Sequence, residues 1–183
     1  MFTGTLMLAR RLFFSLSFLL PCFVVVEASA DVAPEVNSVV AQPGELGSGA
    51  FRWFGFKIYE AQLFTTQGKR FQWEKPFALQ LKYARKVRAR IQLRASQDEL
   101  ERLEGLRPDH PQIVKKLTGC LRDVKSGDRV VAAARGADEL DFFVNGTQTC
   151  SLTHTGIRDR YMSIWLSDQA RDRELARRLR GAV

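Results

Sequence analysis

Alternation of apolar and polar residues predicts the clearest strand of the chain at residues 77–83. Its apolar positions are Phe77, Leu79, Leu81 and Tyr83. A period of two places these side chains on one face, as in an antiparallel strand with one buried face. Upstream, the apolar runs 50–54 and 56–64 are separated by Gly55. They predict two strands, or one strand that is kinked at this glycine.

The hydrophobic period lengthens to four residues further along the chain and predicts helices. Val87, Ile91 and Ala95 recur among arginines, which indicates an amphipathic helix with a basic outer face. Residues 96–99 read Ser-Gln-Asp-Glu, which is typical of a capping box, so a helix starts or restarts there. Gly105 is expected to end it.

The second half of the chain shows the same two hydrophobic periods, and they again predict helices and strands. Asp109 is expected to cap a helix with the apolar face Ile113, Leu117 and Leu121. Residues 129–134 and 139–144 predict a hairpin, and Asn145-Gly146 predicts a tight turn into a strand at 147–152. The final helices are expected around Tyr161, Ile164 and Trp165, and after a cap at Asp172. Antiparallel strands with helices on one face make this an α+β domain.

The N-terminus has the pattern of a cleaved secretory signal. Arg10 and Arg11 precede the apolar run 12–26, and Ala28-Ser29-Ala30 follows it. The run is about 15 residues long, whereas a membrane anchor needs roughly 20. We therefore predict a signal peptide at 1–30, an extended lead-in at 31–45 and one domain at 46–183, located in the periplasm.

The net charge of the chain limits the classes of partner that the protein is expected to bind. The chain carries a formal net charge of +8, and removal of Arg10, Arg11 and Glu27 lowers it to +7. A basic protein can bind nucleic acid or an anionic membrane surface, or can simply be well solvated. Export argues against nucleic acid. The arginines between Arg85 and Arg94, and the C-terminal arginines from Arg171 to Arg180, are then a solvated face or a contact with anionic lipid.

Two cysteines remain after cleavage, Cys120 and Cys150. In an oxidising compartment they either form a disulfide or stay as two buried thiols. Cys150 and His154 are four residues apart, but His110 is the only other histidine. This falls short of a closed ligand set for a metal, so we predict neither a metal site nor a cofactor.

Several segments, in this order and spacing, resemble the bacterial exported chalcone isomerase-like family. They are Gly55–Leu63, Leu79–Arg85, Ser126–Val130, Phe142–Gly146 and Ile164–Leu166. The resemblance covers about residues 46–181. It implies an open-faced sandwich in which helices cover a curved antiparallel sheet and leave an apolar cleft between the layers.

The resemblance also implies two kinds of activity. The plant enzymes close a ring of a chalcone by adding a phenolate to an enone, whereas fatty-acid-binding members hold a carboxylate with Arg and Tyr. Arg52 resembles the anion-holding Arg, and Tyr59 matches the strand Tyr of the family. The segment 88–93 contains neither the Tyr nor the Asn of the enzymes, so no catalytic residue is assigned.

The residues themselves support a ligand site at Arg52, Tyr59 and Tyr83. A guanidinium can hold a carboxylate by two hydrogen bonds, although strand alternation places Arg52 opposite Phe51 and Trp53, which would turn it to solvent. A tyrosine sets an apolar ring beneath a polar tip, and the alternative for both tyrosines is core packing.

Three function classes follow. The first is a non-catalytic binder of an amphipathic small molecule such as a fatty acid. The second is an isomerase (intramolecular lyase) acting on an enone. The third is an interaction protein that docks through its basic helices.

Overall fold

The computed structural model describes residue 1 and residues 32–182. Apart from Met1, the predicted signal peptide lies outside the described residues. The elements are, in chain order, α1 (Pro34–Asn37), β1 (Pro43–Trp53), β2 (Phe56–Thr66), β3 (Phe77–Tyr83), α2 (Ala89–Glu104), α3 (His110–Cys120), β4 (Arg129–Gly136), β5 (Glu139–Val144), β6 (Thr147–Thr153), α4 (Ile157–Leu166) and α5 (Arg173–Leu179).

The six strands form one antiparallel sheet in the order of the sequence, from β1 to β6. Every neighbouring pair is antiparallel, and α2 and α3 lie in the connection from β3 to β4. The α+β arrangement predicted from the sequence is confirmed. None of the helices in residues 32–182 is long and apolar enough to cross a membrane.

Two short turns set the strand register. Phe54 and Gly55 have φ angles of 47° and 79°, so β1 and β2 are two strands joined by a tight turn. Asn145 and Gly146 have φ angles of 49° and 85°, which is the left-handed pair that a two-residue hairpin requires. The hairpin predicted at Asn145-Gly146 is therefore present.

The main core lies between one face of the sheet and the layer formed by α2 to α5. The four alternating apolar residues of β3 all belong to this core, whereas Ala78 belongs to a second core on the opposite face. Leu63, Leu100, Leu117 and Leu140 are fully buried in the main core. Each such side chain stabilises the fold by roughly 1.5–3 kcal/mol relative to an exposed one.

The opposite face of the sheet is covered by the N-terminal segment. Val36 and Val40 pack with Phe64 and Val131 in the second core. The prediction of an extended lead-in at 31–45 is thus wrong in part, because α1 is helical and β1 begins at Pro43. The Pro at the first helical position starts this short helix, and burial of Val36 in the helix and of Val40 after it holds this segment against the sheet.

Helix α2 begins later than the sequence predicted and runs without a break. Val87 forms an isolated bridge with Val124, and Asp123 Oδ1 accepts a hydrogen bond of 2.8 Å from the Ala89 amide. Ser96 lies inside α2 and is buried, so the predicted restart at 96–99 is wrong. Packing against the core overrides the local capping signal.

Helix α5 lies directly on β1 and closes the main core at that edge. A Cβ atom at Gly47 would lie 2.0 Å from the carbonyl oxygen of Arg178, so only glycine permits this approach. Asp172 Oδ1 accepts a hydrogen bond of 2.9 Å from the Leu175 amide, as the sequence predicted. At the other edge, a disulfide joins Cys120 at the end of α3 to Cys150 of β6, with Cα atoms 5.0 Å apart.

Candidate functional site

A cavity of about 520 Å³ lies between the sheet and the helical layer. Its sheet wall is formed by inward-facing residues of β1 to β5, and its helical wall by α2 and α4 together with the start of α5. The apolar side chains that line it include Ile58, Leu79, Leu81, Val130, Ala132, Phe142, Val87, Ile91 and Leu175. The strand and helix periodicities of the sequence therefore converge on one apolar space.

Aromatic rings form a continuous surface along the cavity. Phe51 stacks on Tyr59 with ring centroids 5.1 Å apart, and Tyr59 meets Tyr83 edge-on at 5.6 Å. From the helical side, Tyr161 contacts Trp165 at 5.4 Å. Such offset and edge-on pairs hold the rings in defined orientations, so this surface is pre-formed.

Tyr59 supplies a hydrogen-bond donor to the cavity. Its hydroxyl oxygen accepts a bond of 2.9 Å from Trp165 Nε1, which leaves its own proton free to be donated to a ligand. Burial raises the pKa of Tyr59, although the bond from Trp165 lowers it somewhat. The phenol is therefore neutral at physiological pH and acts as a donor rather than as a base.

Two further phenols line the same space. Burial raises the pKa of Tyr83, and its hydroxyl has a long contact of 3.4 Å with Gln92 Oε1. Burial also raises the pKa of Tyr161 to about 12. All three tyrosines keep their protons, so the cavity offers neutral donors beside apolar walls.

The charged side of the cavity is built on Glu99. Arg171 contacts Glu99 Oε1 at 2.6 Å through Nε and at 2.5 Å through Nη2, and Arg102 contacts Glu99 Oε2 at 2.7 Å. Burial alone would raise the pKa of Glu99, but the hydrogen bonds from Arg102 and Arg171 outweigh it and hold the pKa below its usual range. Glu99 is therefore a carboxylate shared by two guanidinium groups.

Arg171 is the one basic residue among the described residues that line the cavity. Its side chain is 50% exposed, so it lies where the cavity opens to solvent. Its Nη1 makes no hydrogen bond with residues 32–182. Asp98 and Asp172 also line the cavity, but each is engaged, Asp98 by Arg94 at 2.8 Å and Asp172 by its capping bond.

Of the predicted site residues, Tyr59 and Tyr83 line the cavity and Arg52 does not. Arg52 is exposed, and its Nη1 donates a bond of 3.2 Å to the Gly55 carbonyl. The prediction that Arg52 enters the cleft is wrong in this structure. The reason is strand alternation, since its neighbours Phe51 and Trp53 occupy the cavity side.

Sequence reasoning missed Glu99 and Arg171 as site residues. Glu99 was assigned to a helix start, and Arg171 was grouped with the solvated arginines of the C-terminal segment. The cap at Asp172 was the available signal, because it places Arg171 immediately before a helix that packs on the sheet.

A second ionic cluster, away from the cavity, joins α2, α3 and α4. Arg160 contacts Glu104 at 2.7 Å and Asp109 at 2.6 Å. His110 and His154 contact the same two carboxylates at 3.0 and 2.9 Å. Burial would raise the pKa of Glu104, but bonds from Arg160 and His110 hold it below its usual range. Within the part of the chain that the structure describes, no group of three potential ligands could hold a metal ion.

Comparisons with known proteins bear on the fold. Neither a protein-family model nor a curated protein matches the chain. Among solved structures, the chain is similar to a fatty-acid binding protein of Arabidopsis thaliana, with a TM-score of 0.62 and 9% sequence identity. The match covers 82% of this chain and 95% of that chain. The chain thus has the chalcone isomerase-like fold expected from its sequence, and at this identity the likeness shows the fold alone.

Proposed function

We propose that this chain is a non-catalytic binding protein that holds one amphipathic small molecule, such as a long-chain fatty acid, in its cavity. The observation that supports the proposal is the cavity of about 520 Å³, which has apolar walls and hydrogen-bond donors from Tyr59 and Arg171. Ligand sites in proteins typically have volumes of roughly 300–1,000 Å³, mainly apolar linings and a few convergent polar groups.

The polar groups define an orientation for such a ligand. The acyl chain would lie along Leu79, Leu81 and Val130, and the head group would accept hydrogen bonds from Tyr59 and Arg171. Arg171 binds Glu99 through Nε and Nη2, and its Nη1, which makes no hydrogen bond within residues 32–182, could give a carboxylate head group a charge-assisted hydrogen bond. The solved relative is described as a fatty-acid binding protein, which supports the same ligand class.

We also propose that the chain is exported to the periplasm and belongs to the bacterial exported branch of the chalcone isomerase-like proteins. The basic, apolar and small-residue order of residues 10–30 supports this. Mass spectrometry of the protein recovered from a bacterial periplasm should give a chain that begins at Asp31. Recovery of the intact 183-residue chain from the cytoplasm would contradict export.

A titration with a fluorescent long-chain fatty acid tests ligand binding. We expect saturable binding of one molecule per chain at micromolar concentration. Ala95 lines the cavity from an exposed position on α2, so Ala95→Trp should obstruct the site without displacing the core, and binding should weaken at least about tenfold. Ala95→Ser is the matched control and should bind like the original chain. Binding that is unsaturable, or unchanged by the tryptophan, would refute the proposal.

Isomerisation of an enone is the second candidate function. It is favoured by the three neutral phenols that line the cavity, because hydrogen-bond donors can polarise a conjugated ketone. An absorbance assay with chalcones decides between the two. Turnover that disappears in Tyr59→Phe would establish an isomerase and overturn the non-catalytic assignment, whereas no turnover above the uncatalysed rate would leave binding as the function.

A further inference from the structure

The turn between β1 and β2 exposes three large aromatic side chains next to one another. Trp53, Phe54 and Phe56 are 49%, 86% and 59% exposed. Trp53 also lines the cavity, as does Ile91 of α2, which is 50% exposed. An apolar group of this kind, continuous with a cavity opening, is typical of an interaction surface. We call Trp53, Phe54 and Phe56 the aromatic tip.

The local fold does not explain the residue at the apex. Phe54 has a φ of 47°, a conformation that favours glycine or asparagine and disfavours bulky side chains. Its ring meets Trp53 edge-on, with centroids 5.2 Å apart, and is otherwise largely exposed within the described part of the chain. A phenylalanine in a strained and exposed position contributes little to the stability of the hairpin, which indicates a role outside the folded chain.

Basic residues surround the aromatic tip. Residues 52–57 and 85–91 contain six lysines and arginines and no aspartate or glutamate, namely Arg52, Lys57, Arg85, Lys86, Arg88 and Arg90. The two segments meet in space, because the Ala84 amide donates a bond of 2.8 Å to the Ile58 carbonyl. The Arg85 guanidinium lies 4.8 Å from the centre of the Phe56 ring.

These cations are available to a partner. Lys57 pairs with Glu60 at 2.9 Å, and the other five form no ion pair with the residues that the structure describes. Lipid bilayers with anionic head groups attract such clusters. Tryptophan and phenylalanine favour the boundary between head groups and acyl chains.

We propose that the aromatic tip and the surrounding cations dock on an anionic lipid bilayer, with the tip inserted among the head groups and the cavity opening facing the lipid. Single-stranded nucleic acid also binds cations and aromatic rings, but it needs rings placed along a groove, whereas here they cluster at the apex of one hairpin. Docking does not depend on whether the cavity binds a ligand, so the two proposals fail separately.

Sedimentation with vesicles tests the docking. The 183-residue chain is mixed with vesicles of phosphatidylglycerol and phosphatidylcholine in a 1:3 ratio, or with phosphatidylcholine alone. Lys86→Glu with Arg90→Glu should weaken binding to the anionic vesicles at least about tenfold, because each basic residue near such a surface contributes roughly fivefold in affinity. The matched control is Lys75→Glu with Lys115→Glu, which reverses two exposed lysines elsewhere that form no ion pair within residues 32–182 and should lower binding much less.

Phe54→Asn tests the apex without endangering the fold, because asparagine tolerates a positive φ. It should weaken vesicle binding severalfold while thermal stability is retained or increased. All variants have the same N-terminal residues, so differences in vesicle binding among them are due to the surface around the aromatic tip. Brominated lipids should also quench a fluorescence component that is lost in Trp53→Phe.

Three outcomes would overturn the proposal. In the first, the control pair weakens vesicle binding as much as the Lys86 and Arg90 pair. In the second, Trp53 escapes quenching while the chain is bound to vesicles. In the third, the Lys86 and Arg90 pair weakens binding to a single-stranded RNA 20-mer but leaves vesicle binding intact, which would assign the surface to nucleic acid.

Discussion

Replacing Arg171 with glutamine should weaken the binding of a fatty acid far more than the binding of the matching fatty alcohol. Arg171 lines the cavity opening and contacts Glu99 at 2.5 Å, and its Nη1 is available to a ligand carboxylate. The substitution removes the guanidinium and its charge and leaves a shorter, neutral amide. The alcohol can still accept a hydrogen bond from Tyr59 and buries a hydrocarbon chain of the same length, so it serves as an internal reference.

The expected magnitude follows from the exposure of the guanidinium. Hydrogen bonds to charged groups contribute roughly 1.5–3 kcal/mol, which corresponds to about 10- to 150-fold in affinity. The Arg171 side chain is 50% exposed, so solvent screening places the effect at the lower end of this range. We expect the dissociation constant for the acid to rise about tenfold and that for the alcohol to change less than about twofold.

Arg102→Gln is the matched control. Arg102 also pairs with Glu99, at 2.7 Å, but it does not line the cavity. Both substitutions remove one positive charge and one partner of Glu99, and only one removes a possible ligand contact. Competition titrations against a fluorescent fatty acid measure both variants. Equal losses in the two variants, or an equal loss of acid and alcohol in Arg171→Gln, would refute the role of Arg171.

Three further predictions concern stability, measured by urea unfolding. Loss of the disulfide in Cys120→Ala with Cys150→Ala should lower the free energy of unfolding by about 3–4 kcal/mol, because the bond closes a loop across 30 residues; an unchanged midpoint would contradict this. Glu104 has a pKa below its unfolded value of about 4.3, so its stabilisation is present above that pH and is lost as pH falls. Glu104→Gln removes one of the two carboxylate partners of Arg160, while Asp109 remains, so it should cost about 1.5–3 kcal/mol at pH 7 and make stability fall less steeply as pH drops; an equally steep fall would count against it. Tyr59→Phe should cost about 1 kcal/mol by removing the acceptor of the Trp165 N–H; no loss would show that this bond is not stabilising.

Most of the sheet could be predicted because its signals are local. Alternation along 77–83 and the Asn145-Gly146 turn depend on residues that are neighbours in sequence, and both are present in the structure. The end of α2 was equally local, since Gly105 adopts a positive φ of 73° there. Elements that depend on a local sequence pattern can therefore be predicted without knowledge of the rest of the chain.

The incorrect predictions concern segments whose structure depends on residues that are distant in sequence. The capping sequence at 96–99 was a valid local signal, but burial of Ser96 against the core keeps α2 continuous. The segment 31–45 carries little periodicity, and its helix exists because Val36 and Val40 cover the second face of the sheet. Burial of apolar surface outweighs weak local preferences in both places.

The two tyrosines of the candidate site could be predicted from the sequence, whereas its charged residues could not. Tyr83 sits on a strand whose alternation points it inward, and Tyr59 was assigned by its resemblance to a family position; both line the cavity. Arg171 and Glu99 are 72 residues apart, and they meet because α4, which precedes Arg171 in the chain, packs against α2. Arg52 was assigned by its resemblance to a family position, although its own strand pattern turns it outward.

The most direct test of the cavity as a ligand site is a measurement of nuclear Overhauser effects between palmitic acid and the protein in solution. We expect contacts from the acyl methylene protons to the methyl groups of Leu79, Leu81 and Val130, which line the cavity from the sheet. Contacts confined to the exposed rings of Trp53 and Phe54, with none to those methyl groups, would contradict this expectation.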